Sequence, residues 1–367
     1  MSHDWKELKL GEILEVKYGK DHKNLLTGTI PVYGSGGIMR HVNTYMYDDE
    51  SILIPRKGTL SNIFYRSEPF WTVDTMFWTK INKSKVVPKF LYYQLRTIDF
   101  TILNVGSAVP SLTVPVINDI DILLPSLPEQ ESIAEILSSL DYKIDLLHQQ
   151  NKTLEALAET LFRQWFVEEA EDSWEKSTLS ELVKMIDNRG KTPLFTEAKT
   201  DYPIIEVNAL NGDSRCIDYK VIKKYVDKET YETWFRSGHP KINDILISTV
   251  GSIGQMSMLL EEKGSIAQNI VAMRPSSISP YYLYQYLLSI QDEIIEYDIG
   301  SVQPSIKVTH LTKIIVPIPN KIKLDLFDKH LTGFCHKIAS NYKQINQLET
   351  LRDTLLPKLM SGAVRVN

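Results

Sequence analysis

The chain contains an internal repeat, and a repeat of this length constrains the fold more than any single motif does. Residues 105–125 read VGSAVPSLTVPVINDIDILLP, and residues 299–319 read IGSVQPSIKVTHLTKIIVPIP, at an offset of 194 without a gap. The recurring positions are Gly106, Ser107, Pro110, Ser111, Val114, Ile120 and Pro125 in the first copy and Gly300, Ser301, Pro304, Ser305, Val308, Ile314 and Pro319 in the second. We therefore expect two copies of one structural unit.

A long helical pattern follows each copy of the repeat. Over residues 133–165 apolar side chains recur at alternating spacings of three and four, with Asn151 in the one gap. The same spacing runs over residues 327–359, where Asn341 and Arg352 interrupt it. One such stripe is equally consistent with a helix buried in a core, but two at one offset favour paired helices of the coiled-coil type. Each helix is predicted to run for about 33 residues, or about 50 Å.

Two globular segments alternate with these helices. Both are rich in β-branched and aromatic residues and contain turn sequences such as Gly34-Ser35-Gly36-Gly37 and Asn211-Gly212-Asp213. The predicted domains are a globular domain at 1–127, a helix at 128–172, a second globular domain at 173–323 and a helix at 324–367. The sequence thus predicts an α+β fold, with two pseudo-symmetric, β-rich mixed α/β domains separated by two long helices.

The distribution of charge bears on the function. With 41 Lys and Arg against 46 Asp and Glu, the net charge is −5, which at first argues against a nucleic-acid-binding protein. Divided by predicted domain, the charge is +1 for 1–127, −8 for 128–172, 0 for 173–323 and +2 for 324–367. A globular domain without net charge can still bind DNA through one face. We expect the acidic helix to face protein or solvent instead.

Several classes of protein are excluded by what the sequence lacks. No run approaches the ~18 consecutive apolar residues of a membrane span, and the first residues form no apolar signal region. Cys216 and Cys335 are too few for a disulfide framework or a cysteine-based metal site, and the histidines show no metal-ligand spacing. We expect a soluble, cytoplasmic protein that has no membrane partner and holds no metal.

Residues spread over nearly the whole chain form the pattern of a known family. They are Trp5 with Leu10-Gly11-Glu12-Ile13, Ile30 to Gly37, Ile54-Pro55-Arg56-Lys57-Gly58, Gly106-Ser107 with Pro110-Ser111-Leu112, Leu124-Pro125, Glu129-Gln130, Ile133-Ala134, Leu137, Leu140-Asp141, Ile144, Asn151, Leu154, Leu161-Phe162, Trp165-Phe166, and the C-terminal Leu351 to Gly362. On these residues the chain resembles the specificity (S) subunit of type I restriction-modification systems. The second half departs from the family pattern at one point, where Ile322-Lys323-Leu324 stands in place of Pro128-Glu129-Gln130.

The resemblance implies a function and a set of partners. The two globular domains would be target recognition domains, each reading one half of a bipartite, asymmetric site in double-stranded DNA. The two helices would pair antiparallel, set the spacing of the half-sites and dock two methyltransferase (M) subunits, and restriction (R) subunits would join the full complex. The chain itself would have no catalytic centre and no cofactor, while the partner subunits would use S-adenosylmethionine, ATP and Mg²⁺.

Polar and basic side chains on loops and at strand ends are the candidates for DNA contact, because such groups bind bases and phosphates. Any one of them is as easily an ordinary solvated surface residue. The repeated Gly-Ser-x-x-Pro-Ser loop is better explained as a shared structural turn, since the two domains are expected to read different bases. The candidates are Lys20, Lys23, Asn24, Ser35, Arg40, His41, Arg56 and Lys57 in the first domain, and Arg189, Lys191, Thr192, Asn208, Asn211, Arg215, Arg236, Lys241, Thr249, Ser252 and Gln255 in the second.

Two further sets of residues are assigned to the helices. If facing residues of an antiparallel pair sum to about 492, Asn151 faces Asn341, and a buried Asn pair would fix the register of the two helices. At the end of the first helix Phe162, Trp165 and Phe166 are expected to be exposed and to dock partner subunits, because large apolar patches mark interfaces.

Two motifs with an enzymatic meaning are weak. Gly190-Lys191-Thr192 is similar to the end of a phosphate-binding loop, but that motif needs a glycine where the chain has Met185. Asp244 with Glu261 and Lys263 is similar to the D…ExK metal site of nucleases, although so short a pattern often arises by chance. Two hypotheses stay open, a non-catalytic DNA-specificity subunit and a stand-alone sequence-specific endonuclease or DNA-binding module.

Overall fold

The chain folds into two compact units. The computed structural model describes residues 5–106, 109–210 and 214–366. Unit 1 comprises Met1–Ile144 together with Asn346–Asn367, and unit 2 comprises Asp145–Ile345. Because both divisions fall inside long helices, each unit contains one globular part and a segment of each helix.

Unit 1 is built on sheets in which most neighbouring strands are antiparallel. One sheet has the strand order β2-β8-β5-β6, a second has the order β4-β3-β7, and β1 pairs with β9. The strands are β1 (Lys6–Lys9), β2 (Leu14–Tyr18), β3 (Thr27–Gly34), β4 (Gly37–Val42), β5 (Ser51–Pro55), β6 (Phe64–Arg66), β7 (Trp71–Thr72), β8 (Met76–Ile81) and β9 (Asp121–Leu124), and the helices are α1 (Pro88–Leu95), α2 (Val114–Asn118) and the first part of α3 (Leu127–Arg163). The pairing of β3 with β7 is parallel.

Unit 2 repeats this plan. Its main sheet has the strand order β11-β16-β13-β14, which corresponds to β2-β8-β5-β6, and its pair of β10 with β17 corresponds to β1 with β9. The strands are β10 (Glu175–Thr178), β11 (Val183–Ile186), β12 (Ile204–Ile205), β13 (Ile245–Ser248), β14 (Met256–Met258), β15 (Ser265–Ile266), β16 (Ile270–Pro275) and β17 (Ile315–Ile318), and the helices are α4 (Leu179–Leu182), α5 (Lys228–Thr233), α6 (Pro280–Ser289), α7 (Gln291–Ile295), α8 (Val308–Leu311) and α9 (Lys321–Met360). The strands β12 and β15 pair in parallel.

The pattern of apolar residues explains which strands are central. β5 reads SILIP and is buried throughout, whereas β2 reads LEVKY and buries only Leu14 and Val16, as suits the edge of a sheet with one face in solvent. The core of unit 1 joins Ile54 of β5 to Leu137 of α3 and to Leu356 of α9. The helix segments therefore belong to the core of the unit and are not loosely attached to it.

The helices α3 and α9 pair antiparallel in both units. In unit 2, Asn151 contacts Asn341, and the rings of Phe162 and Phe327 lie 6.5 Å apart, so ascending positions on α3 meet descending positions on α9. In unit 1, Asp141 likewise meets Arg352. The fold expected from the sequence, two β-rich mixed domains with two long antiparallel helices, is confirmed. None of the helices in the described part of the chain combines the length and apolar character that crossing a membrane needs.

Candidate nucleic-acid interface

In unit 1 the repeated loop forms hydrogen bonds with the residues that directly follow the central strand β5. The N–H of Gly58 donates to the carbonyl of Pro110 (3.0 Å), and the N–H of Leu112 donates to the carbonyl of Arg56 (2.9 Å). The loop is closed by Asn104, whose side-chain oxygen accepts from the N–H groups of Gly106 and Ser111, both at 2.8 Å. Residues 107 and 108, including the Ser107 of the motif, lie outside the described residues.

Unit 2 reproduces this loop contact by contact. The N–H of Gly251 donates to the carbonyl of Pro304 (3.0 Å), at positions that match Gly58 and Pro110. Asp298 takes the place of Asn104, because its carboxylate accepts from the N–H groups of Gly300 and Ser305, both at 2.8 Å. These two backbone hydrogen bonds hold the pKa of Asp298 below its ordinary value.

The glycines of the loop are required by space. A Cβ on Gly106 would lie 2.1 Å from the carbonyl oxygen of Val109, and a Cβ on Gly300 would lie 1.9 Å from that of Gln303. No other residue fits so close a backbone approach. The geometry favours the interpretation of the repeat as a shared structural turn that supports the strand end beside it.

In unit 1 this strand end carries a group of predicted DNA-contacting residues. The guanidinium of Arg56 donates to the carbonyl of Asp74 (3.1 Å) and lies 5.4 Å from the ring centre of Tyr18, and Lys57 is exposed. Lys20 reaches the same place, because its N–H donates to the carbonyl of Thr72 (2.9 Å). Lys20, Arg56 and Lys57 therefore gather around the segment that leads into β8.

Ser35 lies beside the same strand end, and the remaining candidates of unit 1 lie on or before the β3–β4 hairpin. A Cβ on Gly58 would lie 2.9 Å from the hydroxyl of Ser35. Arg40 is half-buried and donates to the carbonyl of Leu25 (2.8 Å), which holds its side chain along the hairpin. The fully solvent-facing candidates here are Lys23, Asn24 and His41.

In unit 2 the guanidinium at the corresponding place comes from another strand. Arg189 follows β11 and forms a bidentate ion pair with Asp187, at 2.9 and 2.8 Å, which lowers the pKa of that carboxyl. Its third nitrogen donates to the hydroxyl of Thr249 (3.2 Å). Thr249 matches Arg56 in the repeat, so each unit presents one arginine at the same end of its sheet, after β5 in unit 1 and after β11 in unit 2.

The other candidates of unit 2 are scattered over its surface. Thr249 is itself fully buried, so its choice as a DNA-contacting residue is contradicted by the structure. Gln255 is half-buried, and Asn211 lies outside the described residues. The exposed candidates are Lys191, Thr192, Asn208, Arg236, Lys241 and Ser252.

The structure also contradicts the choice of Arg215. Its side chain is 0% exposed, and it forms a bidentate ion pair with Glu155 of α3 (2.7 and 3.1 Å) and donates to the sulfur of Cys335 on α9 (3.0 Å). The guanidinium also lies 5.3 Å from the ring centre of Tyr284. Arg215 therefore fastens the globular part of unit 2 to both of its helix segments and is not available to DNA.

The comparison with known proteins decides the family. The family model described as "Type I restriction modification DNA specificity domain" matches the chain twice, over residues 2–156 and 171–350. The chain belongs to this family. The two matches coincide with the two copies of the sheet and of the repeated loop.

Relatives in this family resemble the chain over most of its length. The "Type I restriction enzyme MjaIX specificity subunit" of Methanocaldococcus jannaschii is 25% identical, with 86% of this chain and 78% of the relative covered. A putative type I specificity subunit of Mycoplasma pneumoniae is 31% identical over 37% of this chain and 45% of its own length. The crystal structure of the type I restriction-modification S subunit from M. genitalium superposes with a TM-score of 0.69 at 18% identity, covering 97% of this chain and 96% of that one.

The three aromatic residues that were expected to dock partner subunits, Phe162, Trp165 and Phe166, are not exposed. Phe162 and Phe166 are 4% and 6% exposed, Trp165 is half-buried, and all three belong to the core of unit 2. The ring of Phe166 lies 4.8 Å from that of Tyr282 and 5.0 Å from that of Phe327. The expectation of an exposed aromatic patch is wrong, because these rings hold the end of α3 against the globular part.

The predicted contact between the two helix asparagines is present. Asn341 donates its side-chain amide to the side-chain oxygen of Asn151 (2.8 Å) and to that of Gln150 (2.9 Å). Both asparagines are buried, and the remaining amide nitrogen of Asn151 and oxygen of Asn341 have no partner among the described residues. Leu147 and Ile345, the neighbouring positions of the same register, are buried as well. The role of the pair in fixing register stays a prediction.

Asp244, the first residue of the nuclease-like motif, has a structural partner. Its side chain is 2% exposed and forms a two-point ion pair with Arg274 (2.8 and 3.0 Å), and one oxygen accepts from the N–H of Lys241 (2.8 Å). Glu261 and Lys263 are exposed. The carboxylate of Asp244 is thus already paired with the guanidinium of Arg274 on the neighbouring strand β16.

Two features of the structure were not predicted from the sequence, an ion pair between the helices of unit 1 and a turn in unit 2. Asp141 accepts from Arg352 (2.8 Å) and from the hydroxyl of Tyr93 (2.7 Å), so an ion pair fills the break in the apolar stripe of α9. The interruption at Arg352 was visible in the sequence, but its partner was not. Gln268 and Asn269, before β16, are exposed and adopt positive φ, at 25° and 53°. Only their match to Asp74 and Thr75 in the repeat could have drawn attention to them.

Proposed function

We propose that the chain is the non-catalytic specificity subunit that gives a type I restriction-modification complex its DNA target, with units 1 and 2 each recognising one half of a bipartite, asymmetric sequence. One observation carries the proposal. The two units share a sheet order and a loop but present different side chains at the same strand end, with Arg56 in one and, in the other, Arg189, which the buried Thr249 holds in place. A shared scaffold with different contact groups is what two dissimilar half-sites require.

The placement of charge supports DNA contact by the globular parts. Exposed basic residues such as Lys20, Lys23 and Lys57 in unit 1, and Lys191 and Lys241 in unit 2, suit phosphate binding. The segment 128–172 carries a net charge of −8 and would repel a duplex. The acidic helix is therefore assigned to partner proteins.

The helices are assigned a spacing and docking role. In unit 2, α3 carries two exposed large apolar side chains, Leu146 and Leu157, which lie within about 20° around the helix axis at 100° per residue. These replace the buried Phe162 and Phe166 as candidates for contact with two methyltransferase subunits. The restriction subunits, and the S-adenosylmethionine, ATP and Mg²⁺ that the chemistry needs, belong to the rest of the complex, which would act on DNA in the cytoplasm.

The experiment that tests this function is sequencing of methylated DNA. The chain is expressed with the methyltransferase subunits of its host in cells without other methylation, and modified bases are mapped. We expect one motif with two specific halves and an unspecific gap. The purified chain alone, with Mg²⁺ and DNA, should neither cut nor methylate. Cleavage by the lone chain that Asp244→Ala abolishes would favour the endonuclease hypothesis instead.

A matched pair of lysine variants tests which surface meets DNA. Lys23→Ala in unit 1 should weaken binding of the assembled complex to all duplexes and reduce the slope of log affinity against log salt by about one. Lys143→Ala, an equally exposed lysine on the acidic segment of α3, should leave both unchanged. Equal effects of the two substitutions would contradict the assignment of DNA to the globular parts.

A further inference from the structure

The turn before β16 in unit 2 has an unusual backbone. Gln268 has a φ of 25° and Asn269 a φ of 53°, and both side chains are exposed. Two consecutive non-glycine residues with positive φ are uncommon, although Asn tolerates the left-handed region better than other residues do. Such conformations persist where the surrounding structure enforces them, and they concentrate at functional sites.

Hydrogen bonds from the neighbouring strand enforce this turn. Thr249 donates both its N–H (2.6 Å) and its hydroxyl (3.2 Å) to the carbonyl of Asn269, and the same hydroxyl accepts from Arg189 (3.2 Å). The side-chain amide of Gln268 donates to the hydroxyl of Thr192. Within the described ranges, the side-chain amide of Asn269 has no hydrogen-bond partner. The backbone is thus fixed while one amide next to an arginine is left free at the surface.

The turn forms one wall of a cavity of about 220 Å³. The charged groups of the lining satisfy each other, because Lys224 lies 2.6 Å from the carboxylate of Glu206 and 5.2 Å from the ring centre of Phe195. The side-chain amide of Asn208 donates to the carbonyl of Val221 (3.5 Å), so what remains for a ligand is the amide group of Asn269 and the apolar ring. A side-chain amide pairs with the N6 and N7 of adenine, and an aromatic ring contacts the methyl group of thymine.

Unit 1 lacks this arrangement at the matching turn. There Thr75 stands in place of Asn269, and its carbonyl accepts from the N–H of Arg56 (2.8 Å). Asp74 stands in place of Gln268 and offers a carboxylate where unit 2 offers an amide. The amide chemistry therefore belongs to unit 2 alone, although the supporting backbone contact is common to both units.

We infer that Asn269 is a specificity-determining residue of unit 2 and reads the adenine of an A·T base pair in its half-site, with Gln268 and Thr192 holding it in position. The inference rests on the proposed function, since it needs a DNA half-site at unit 2. Beyond the proposed function, it names the base pair that Asn269 recognises. It also predicts that a change of this residue affects one half of the target and not the other.

Mapping of methylated motifs with matched variants tests the inference. Asn269→Gly removes the amide and keeps the positive φ free of strain, and Asn269→Asp keeps the size but removes the donor. Asn243→Gly is the control, because Asn243 is another asparagine of unit 2 with positive φ, at 69°. Each variant is expressed with the methyltransferase subunits, and genomic DNA of the expressing cells is the probe.

Both Asn269 variants should reduce discrimination at one A·T pair by about 5- to 150-fold, the range for loss of one bidentate base contact. The other half of the motif should not change, and Asn243→Gly should give the wild-type motif. An unchanged motif in both Asn269 variants would overturn the inference. Loss of methylation at all sites by both variants would also overturn it, by assigning Asn269 a purely structural role. If the wild-type chain gave no bipartite motif, the proposed function itself would fail.

Discussion

Replacing Arg215 by methionine should destabilise unit 2 severely, because it leaves the partly buried carboxylate of Glu155 without its partner. Arg215 is fully buried, and Glu155 receives three charge-assisted contacts from it between 2.7 and 3.1 Å. Burial raises the pKa of the Cys335 thiol, so its sulfur is a neutral acceptor and cannot balance the charge. Methionine keeps much of the apolar stem that packs near Tyr284 but supplies no cation.

The magnitude follows from the burial of the pair. Removing one partner of a buried ion pair costs about 3–5 kcal/mol, whereas replacing both partners by apolar residues of similar volume is often neutral or stabilising by about 1–4 kcal/mol. Arg215→Met alone should therefore lower the unfolding free energy of unit 2 by about 3–5 kcal/mol. The double variant Arg215→Met, Glu155→Leu should recover most of this loss. Lys228→Met, which breaks an exposed pair with Glu232 at 3.7 Å, should cost under about 0.5 kcal/mol.

Hydrogen exchange of the full chain, followed by mass spectrometry, measures each unit separately. Amides of β13 and β16 should lose protection in Arg215→Met, and amides of β5 and β8 should not, since the pair lies wholly within unit 2. A loss below about 1 kcal/mol would refute the reasoning, as would a double variant no more stable than the single one. Either result would mean that water reaches Glu155 and satisfies its charge.

Three further predictions concern the helices, the loop and a thiol. Asn151→Leu together with Asn341→Leu should raise the unfolding free energy measured in urea, since two unpaired buried amide atoms disappear, whereas Asn151→Leu alone should lower that free energy by about 1–3 kcal/mol. Gly300→Ala should lower the unfolding free energy by about 1–3 kcal/mol in thermal unfolding, because its Cβ would meet backbone atoms. Gly333→Ala, at a position within α9 where a Cβ meets no other atom, should raise the unfolding free energy by up to about 1 kcal/mol. Burial raises the pKa of Cys216 from 9 to about 12, so the folded state keeps a proton that the unfolded state loses above pH 9. The unfolding free energy should therefore fall by about 1 kcal/mol per pH unit between pH 9 and 12. Cys216→Ala should remove this pH dependence, as measured by urea unfolding.

The sequence was sufficient for the features that repeat or are periodic. Two alignable segments at an offset of 194 predicted two units of one plan, and the three-four spacing predicted α3 and α9. The contact of Asn151 with Asn341 followed from simple arithmetic on an antiparallel pair. In each of these cases the determining interaction is local or is set by symmetry, so residue spacing is enough to locate it.

The features that were mistaken depend on contacts between distant parts of the chain. Arg215 lies among turn residues and reads as a surface cation, and only the approach of Glu155, 60 residues away, shows that it is buried. Phe162 and Phe166 read as an exposed helix end because their partners, Tyr282 and Phe327, come from later elements. A charged or aromatic side chain carries no mark in its own sequence window of whether a distant partner covers it.

The division of the chain into units fixes the order in which they can form during synthesis. Unit 2 is one continuous stretch, Asp145–Ile345, whereas unit 1 takes its last segment from Asn346–Asn367. Leu356, Leu359 and Met360 of that segment are buried in the core of unit 1. Unit 1 therefore cannot be completed until its last segment has been synthesised, although the ribosome makes most of it first. Unit 2, whose sequence is contiguous, can fold before that segment is made.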